Sequence, residues 1–157
     1  MTTFNLYHLK HRELIRLERS VRSLKPSTDE EIAKVEQIKQ CVDAFDCLLN
    51  VSDLRKKNAD YDAIWLKKRE AAKTLLTQGW YSNIANITTR DLPQLIKLTS
   101  NGTYPWFDKA NKKIELVERP WRETFSYDIV RFENQAFMYM SSGWINLSTG
   151  QFSGDML

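Results

Sequence analysis

Ala136-Phe137-Met138-Tyr139-Met140 carries an apolar or aromatic side chain at every position, so a strand built from it has two apolar faces. The run is too short for a helix and has the usual length of a strand. Glu133-Asn134-Gln135 before it and Ser141-Ser142-Gly143 after it have turn composition. Beyond those turns, Tyr127 to Phe132 and Trp144 to Leu147 read as further strands, with Ser148-Thr149-Gly150 as a third turn and Lys113 to Glu118 as an upstream strand. Short turns between successive strands predict an antiparallel β-meander of three to four strands within a β-rich subregion, residues 101–157. A sheet in an α+β fold ordinarily leaves one face wet. The second apolar face therefore needs a cover. Helices of the same chain and the aromatic loop Tyr104-Pro105-Trp106-Phe107 are favoured over a partner, because large exposed apolar patches are rare in monomers.

Upstream, the apolar period changes from two to between three and four. Tyr7, Leu14, Leu17, Val21 and Leu24 predict a first helix from Tyr7 to Leu24, broken by Lys25-Pro26-Ser27-Thr28. Thr28-Asp29-Glu30-Glu31 is a capping box that opens a second helix, with Ile32, Val35, Ile38, Val42, Phe45 and Leu49 along one stripe. Together they predict an N-terminal antiparallel helical hairpin over residues 1–50. Residues 51–100 are read as helical. A third helix spans Asp60 to Thr77, with Gly79 as its stop, and a fourth is capped by Thr88 or Thr89 and closed by Ser100-Asn101-Gly102. The expected fold is α+β: the hairpin, two further helices, then the meander, as a single domain over 1–157. A chain of 157 residues can bury a core without metals or disulfides.

Composition narrows the function. Apolar residues make up 42% and charged residues 27%, as in globular proteins rather than disordered ones. No run approaches the roughly 18 apolar residues of a membrane span, and the N-terminus lacks a signal-peptide pattern. Cys41 and Cys47 are six apart on one predicted helix and cannot bridge each other, which fits reduced thiols and a cytoplasmic location. The sequons at Asn50, Asn86, Asn101 and Asn146 are then turn chemistry only.

Motifs for chemistry are missing. His8 and His11, with Glu13, fall short of the His-Glu-x-x-His zinc pattern, and no Gly-x-Ser-x-Gly elbow or phosphate loop occurs. No metal, cofactor or catalytic residue is expected. Glu115, Glu118, Glu123, Asp128 and Glu133, interleaved with Arg119, Arg122 and Arg131, read as a solvated sheet face with cross-strand ion pairs. An enzyme whose residues gather from separate segments is the weaker alternative.

Exclusion leaves a non-catalytic binding protein, most simply an adaptor or stoichiometric inhibitor of the kind phages and mobile elements encode to act on host machinery. The expected partner is a protein, met by Tyr104, Trp106, Phe107, Trp121 and Trp144, since aromatics dominate interface hot spots. The competing reading is nucleic-acid binding by Arg55, Lys56, Lys57, Lys67, Lys68 and Arg69. A first basic flank, Lys10, Arg12, Arg16 and Arg19, is expected to be neutralised across the hairpin by Glu36, Asp43 and Asp46. The heptad stripes also admit a homodimer through the hairpin.

Overall fold

The computed structural model describes residues 1–50, 52–100, 106–107, 112–120, 122–140 and 143–153. The fold is α+β, with four helices and a seven-stranded antiparallel sheet. The chain divides into two compact units. A helical unit comprises Lys10–Trp80, and a sheet unit is assembled from Met1–Leu9 and Tyr81–Leu157.

The sheet unit contains strands β1 (Thr2–Leu9), β2 (Tyr81–Thr89), β3 (Ile114–Leu116), β4 (Ile129–Phe132), β5 (Gln135–Met140), β6 (Gly143–Asn146) and β7 (Phe152–Ser153). Their spatial order is β3-β2-β1-β4-β5-β6-β7. The predicted strands at Tyr127 to Phe132, Ala136 to Met140 and Trp144 to Leu147 are present as β4, β5 and β6, and β7, which was not predicted, continues the meander. The predicted strand at Lys113 to Glu118 is the short β3, at the far edge beside β2 rather than in the meander. Seven strands replace the expected three to four because β1 and β2 come from segments read otherwise and β7 follows the last predicted turn. Tyr7, assigned to the first helix, lies in β1, where Phe4, Leu6 and His8 alternate with Asn5 and Tyr7. Tyr7 merely continues the heptad spacing of the helix that follows. In β2 the register slips, so that Leu6 faces Ala85 while Tyr7 faces Asn83. Ile84 is the extra residue of this bulge, and its carbonyl accepts from Val117 N and Glu118 N at 2.8 and 3.1 Å.

One sheet face packs Phe4, Leu6, Ile87, Val130, Phe137 and Trp144 against Leu92 and Leu95 of a short helix, which also buries Trp106. That helix, α4 (Leu92–Thr99), is capped by Asp91, whose carboxylate accepts from Gln94 N at 2.9 Å. Thr88 and Thr89 end β2 instead of capping it. The other face of β5 is buried too. Met138 is 0% exposed, so the folded chain covers the second apolar face of this strand itself.

The helical unit contains α1 (His11–Val21), α2 (Asp29–Leu49) and α3 (Tyr61–Thr77). Thr28 Oγ1 accepts from Glu31 N at 3.2 Å, and the Glu31 carboxylate reaches back one residue further, to Ser27 N at 2.9 Å. That bond, and a second from the Ser27 hydroxyl at 3.2 Å, hold the Glu31 carboxyl below its ordinary pKa. Asp60 caps α3 through Ala63 N, and Gly79 ends it at φ +82°, a conformation that disfavours any side chain. Val35, Val42, Phe45 and Leu48 of α2 are buried, as are Ala71, Ala72 and Leu75 of α3.

A buried ionic clasp organises the sheet unit. Arg122 and Asp128 form a bidentate pair at 2.6 and 2.7 Å. Asp128 also accepts from Leu9 N and Phe125 N, both at 2.8 Å, while Arg122 donates to Leu9 O at 3.0 Å and Glu123 O at 2.7 Å. Sequence had placed these residues on a solvated face, but both are buried. Beside them Tyr127 adopts φ +77°, with its carbonyl held by the Tyr81 hydroxyl at 2.8 Å. Burial, and then the charge of Asp128 opposed by Arg122, pushes the Tyr81 phenol well above its ordinary pKa.

Removing one charge of the clasp strands the other. Asp128→Leu and Arg122→Met should each lower unfolding free energy in urea by about 3–5 kcal/mol, and the double variant by clearly less than their sum. The Tyr81 phenol predicts an alkaline effect. The folded chain keeps this proton above pH about 10, where the unfolded chain releases it, so stability falls as pH rises past that point. Tyr81→Phe should lose about 1 kcal/mol at neutral pH and show a shallower alkaline decline than the parent chain.

Candidate functional site

Of the predicted aromatic surface, Trp106 and Trp144 are interior. Trp106 is 5% exposed, donates Nε1–H to Arg122 O at 3.1 Å and meets Phe107 edge-on at 5.6 Å. Trp144 is 4% exposed and tilts against Tyr139 at 5.2 Å. Phe107 is half-buried under the Arg119 guanidinium. Tyr104 and Trp121 lie outside the described residues. The rings of Trp106 and Trp144 fill the core of the sheet unit, where a partner cannot reach them.

The predicted phosphate cluster is divided. Arg55, Lys56, Lys57 and Lys67 are exposed, and Lys56 pairs with Asp53 at 2.9 Å. Lys56 thereby holds the Asp53 carboxyl below its ordinary pKa. Arg69 is half-buried and pairs with Glu70 at 3.2 Å. Lys68 is 1% exposed and points the other way. Its ammonium donates to Cys47 O, Leu48 O and Asn50 O at 2.8, 2.8 and 2.9 Å. These carbonyls close the C-terminus of α2, whose last turn has no basic residue of its own. The cation comes from α3 and satisfies the helix end. Burial pushes the Lys68 pKa down, but the three carbonyls keep the proton in place, because only the ammonium offers three donors. An amine held this way has no lone pair for nucleophilic chemistry.

A cavity of about 300 Å³ beside Lys68 is lined by Asp43, Asp46, Cys47 and Lys67 among others. Burial, then the neighbouring Glu18 and Asp43, raises the Asp46 carboxyl, with Arg22 opposing. Among the described residues no group of three or more His, Cys, Asp or Glu side chains could hold a metal ion. His8 lies in β1 and His11 opens α1, so the helical spacing read from the sequence does not occur.

The charge pattern of α1 differs most from expectation. Arg12, Arg16 and Arg19 follow at four and three residues and, at about 100° per residue, share one stripe roughly 60° wide. Leu14, Leu17 and Val21 lie on the opposite side, where Leu14 is fully buried. All three arginines are exposed. Among the described residues neither Arg16 nor Arg19 forms an ion pair, and Asp46 of α2 senses Glu18 of α1 and Arg22, just past its end, instead. The expected neutralisation by Glu36, Asp43 and Asp46 is therefore not found at Arg16 and Arg19 among the described residues. Ile15, 39% exposed, borders it. The spacing was legible in the sequence; the missing acids were not, because facing residues depend on how α1 is rotated.

No protein-family model, curated protein or solved structure matches this chain.

Lys68→Met should destabilise the chain by about 2–4 kcal/mol in urea by leaving the α2 carbonyls without a donor, whereas Lys67→Met should change it by less than about 0.5 kcal/mol.

Proposed function

We propose that this chain is a non-catalytic binding protein that docks an acidic protein surface through the exposed face of α1, acting as an adaptor or stoichiometric inhibitor. The observation that carries this reading is the open row of Arg16 and Arg19 beside exposed Ile15. Arginine with bordering apolar area has the composition of a protein interface, while lysine is depleted there. Arginine also forms bidentate bonds with carboxylates, which lysine cannot. In this reading α1 and α2 form an antiparallel hairpin joined by residues 22–28, and the row lies along its outer side. Exposed Leu24 and Ile32 extend the apolar area near the joint.

Nucleic-acid binding is the second reading, favoured by the four exposed cations Arg55, Lys56, Lys57 and Lys67. Lys68 has no part in it.

Affinity capture with the full chain separates the two. A protein partner should be retained after nuclease treatment and lost with an Arg16→Glu/Arg19→Glu variant, affinity falling by about tenfold or more while the unfolding midpoint stays within error. A partner released by nuclease, or held equally by the variant, would sink the acidic-protein reading. Binding to nucleic acid that weakens steeply with salt would install the second.

A further inference from the structure

The sheet unit contains a cavity of about 300 Å³ at the start of α4, where Asp91 and Leu92 line it. Its apolar wall is made by Phe4, Phe132 and Phe137 from three adjacent strands, closed above by Leu92. Phe4 and Phe132 lie 5.4 Å apart with their planes tilted by 52°. Phe4, Phe137 and Leu92 are buried, so the wall is fixed by the core behind it.

The mouth is polar. Arg90, Thr2 and Gln135 line it. The Arg90 guanidinium is held from one side, where Nε donates to Asp91 at 3.1 Å. Its two Nη atoms, the Thr2 hydroxyl and the Gln135 amide have no protein partner among the described residues. Asp91 also lines the mouth, but its carboxylate is already used by Gln94 N and by Arg90, which hold it below the ordinary carboxylate range. All three side chains offer free donors at the rim, foremost the Arg90 guanidinium, whose planar fork fits a carboxylate.

The geometry points to a binding site for a small aromatic carboxylate, the ring between Phe4, Phe132 and Phe137 and the carboxylate on Arg90 with Gln135 and Thr2. The volume suits a ligand of about ten heavy atoms, for which a dissociation constant on the order of 0.1–1 mM is expected. The site involves no residue of α1 and stands or falls apart from the partner reading.

Amide chemical-shift mapping of the full chain tests this with three probes: phenylacetate, benzyl alcohol and acetate. Phenylacetate should shift the amides around residues 2–4, 90–92 and 132–137 in a saturable way, with benzyl alcohol about tenfold weaker and acetate inactive. Arg90→Gln, at an exposed position, should bring phenylacetate down to the level of benzyl alcohol. Phe137→Trp, which fills the cavity, should abolish both. Equal binding of the acid and the alcohol would overturn the carboxylate assignment. No saturable shifts up to about 10 mM, or shifts confined elsewhere, would overturn the site.

Discussion

The carboxylate of Asp128 is the point from which the sheet unit is organised. It accepts four hydrogen bonds, two from Arg122 and one each from the backbone of Leu9 and Phe125. Placing two charges in the interior is expensive, and such a pair is favoured only when its remaining donors and acceptors are met. Here Arg122 also reaches the carbonyls of Leu9 and Glu123. The consequence is one of register. Asp128 immediately precedes β4, whose pairing with β1 begins at Tyr7↔Ile129, and Leu9 pairs with Tyr81 at the start of β2. A slip of one residue in either pairing would turn every apolar side chain of the strand to the wrong face and break the clasp as well. Tyr81 ties in the same turn through the carbonyl of Tyr127. One node thereby sets three neighbouring strands, and it holds Tyr127 at a positive φ that costs a side chain about 1–2 kcal/mol.

Legibility in the sequence followed locality. Strands β4 to β6 are short apolar runs set between turn clusters, and each could be read from its own residues. The α2 start was legible because a capping box is a short-range device, and so was the stop at Gly79. β1 was hidden because Tyr7 fits two periods at once, and β2 because the bulge at Ile84 breaks the alternation that announces a strand. The clasp was missed for another reason. Arg122 lies six residues from Asp128 and outside any strand, and pairing them needs the turn between them. A signal was present all the same: a lone aspartate set between Tyr127 and the apolar pair Ile129-Val130 is a charge entering a core, and it calls for a buried cation.

Lys67-Lys68-Arg69 holds a similar lesson. Three consecutive residues on a helix spread over about 200°, so they cannot all face one polyanion. One of them had to turn inward, and the C-terminus of α2, which has no cation in its own last turn, is what receives it. The aromatic loop misled in the opposite direction. Trp106 has an indole N–H that must be satisfied when buried, and the Arg122 carbonyl satisfies it, so a tryptophan that looked like surface serves the core.

Charge divides between the two units as their buried chemistry does. Residues 10–80 carry fifteen Lys and Arg against twelve Asp and Glu, while residues 1–9 and 81–157 carry eight of each. The chain's whole net charge of +3 therefore belongs to the helical unit. In the sheet unit the buried charges answer one another. In the helical unit a buried cation, Lys68, answers a helix end, while Arg16 and Arg19 of α1 are exposed. Strand pairing from Leu9↔Tyr81 outward, with the clasp beside it, sets the register of β1 and β2, and Lys10 N donates to Trp80 O at 3.0 Å where the helical segment leaves and returns. A connecting segment tolerates variation of its surface more readily than paired strands do, and the exposed Arg16 and Arg19 lie in such a segment.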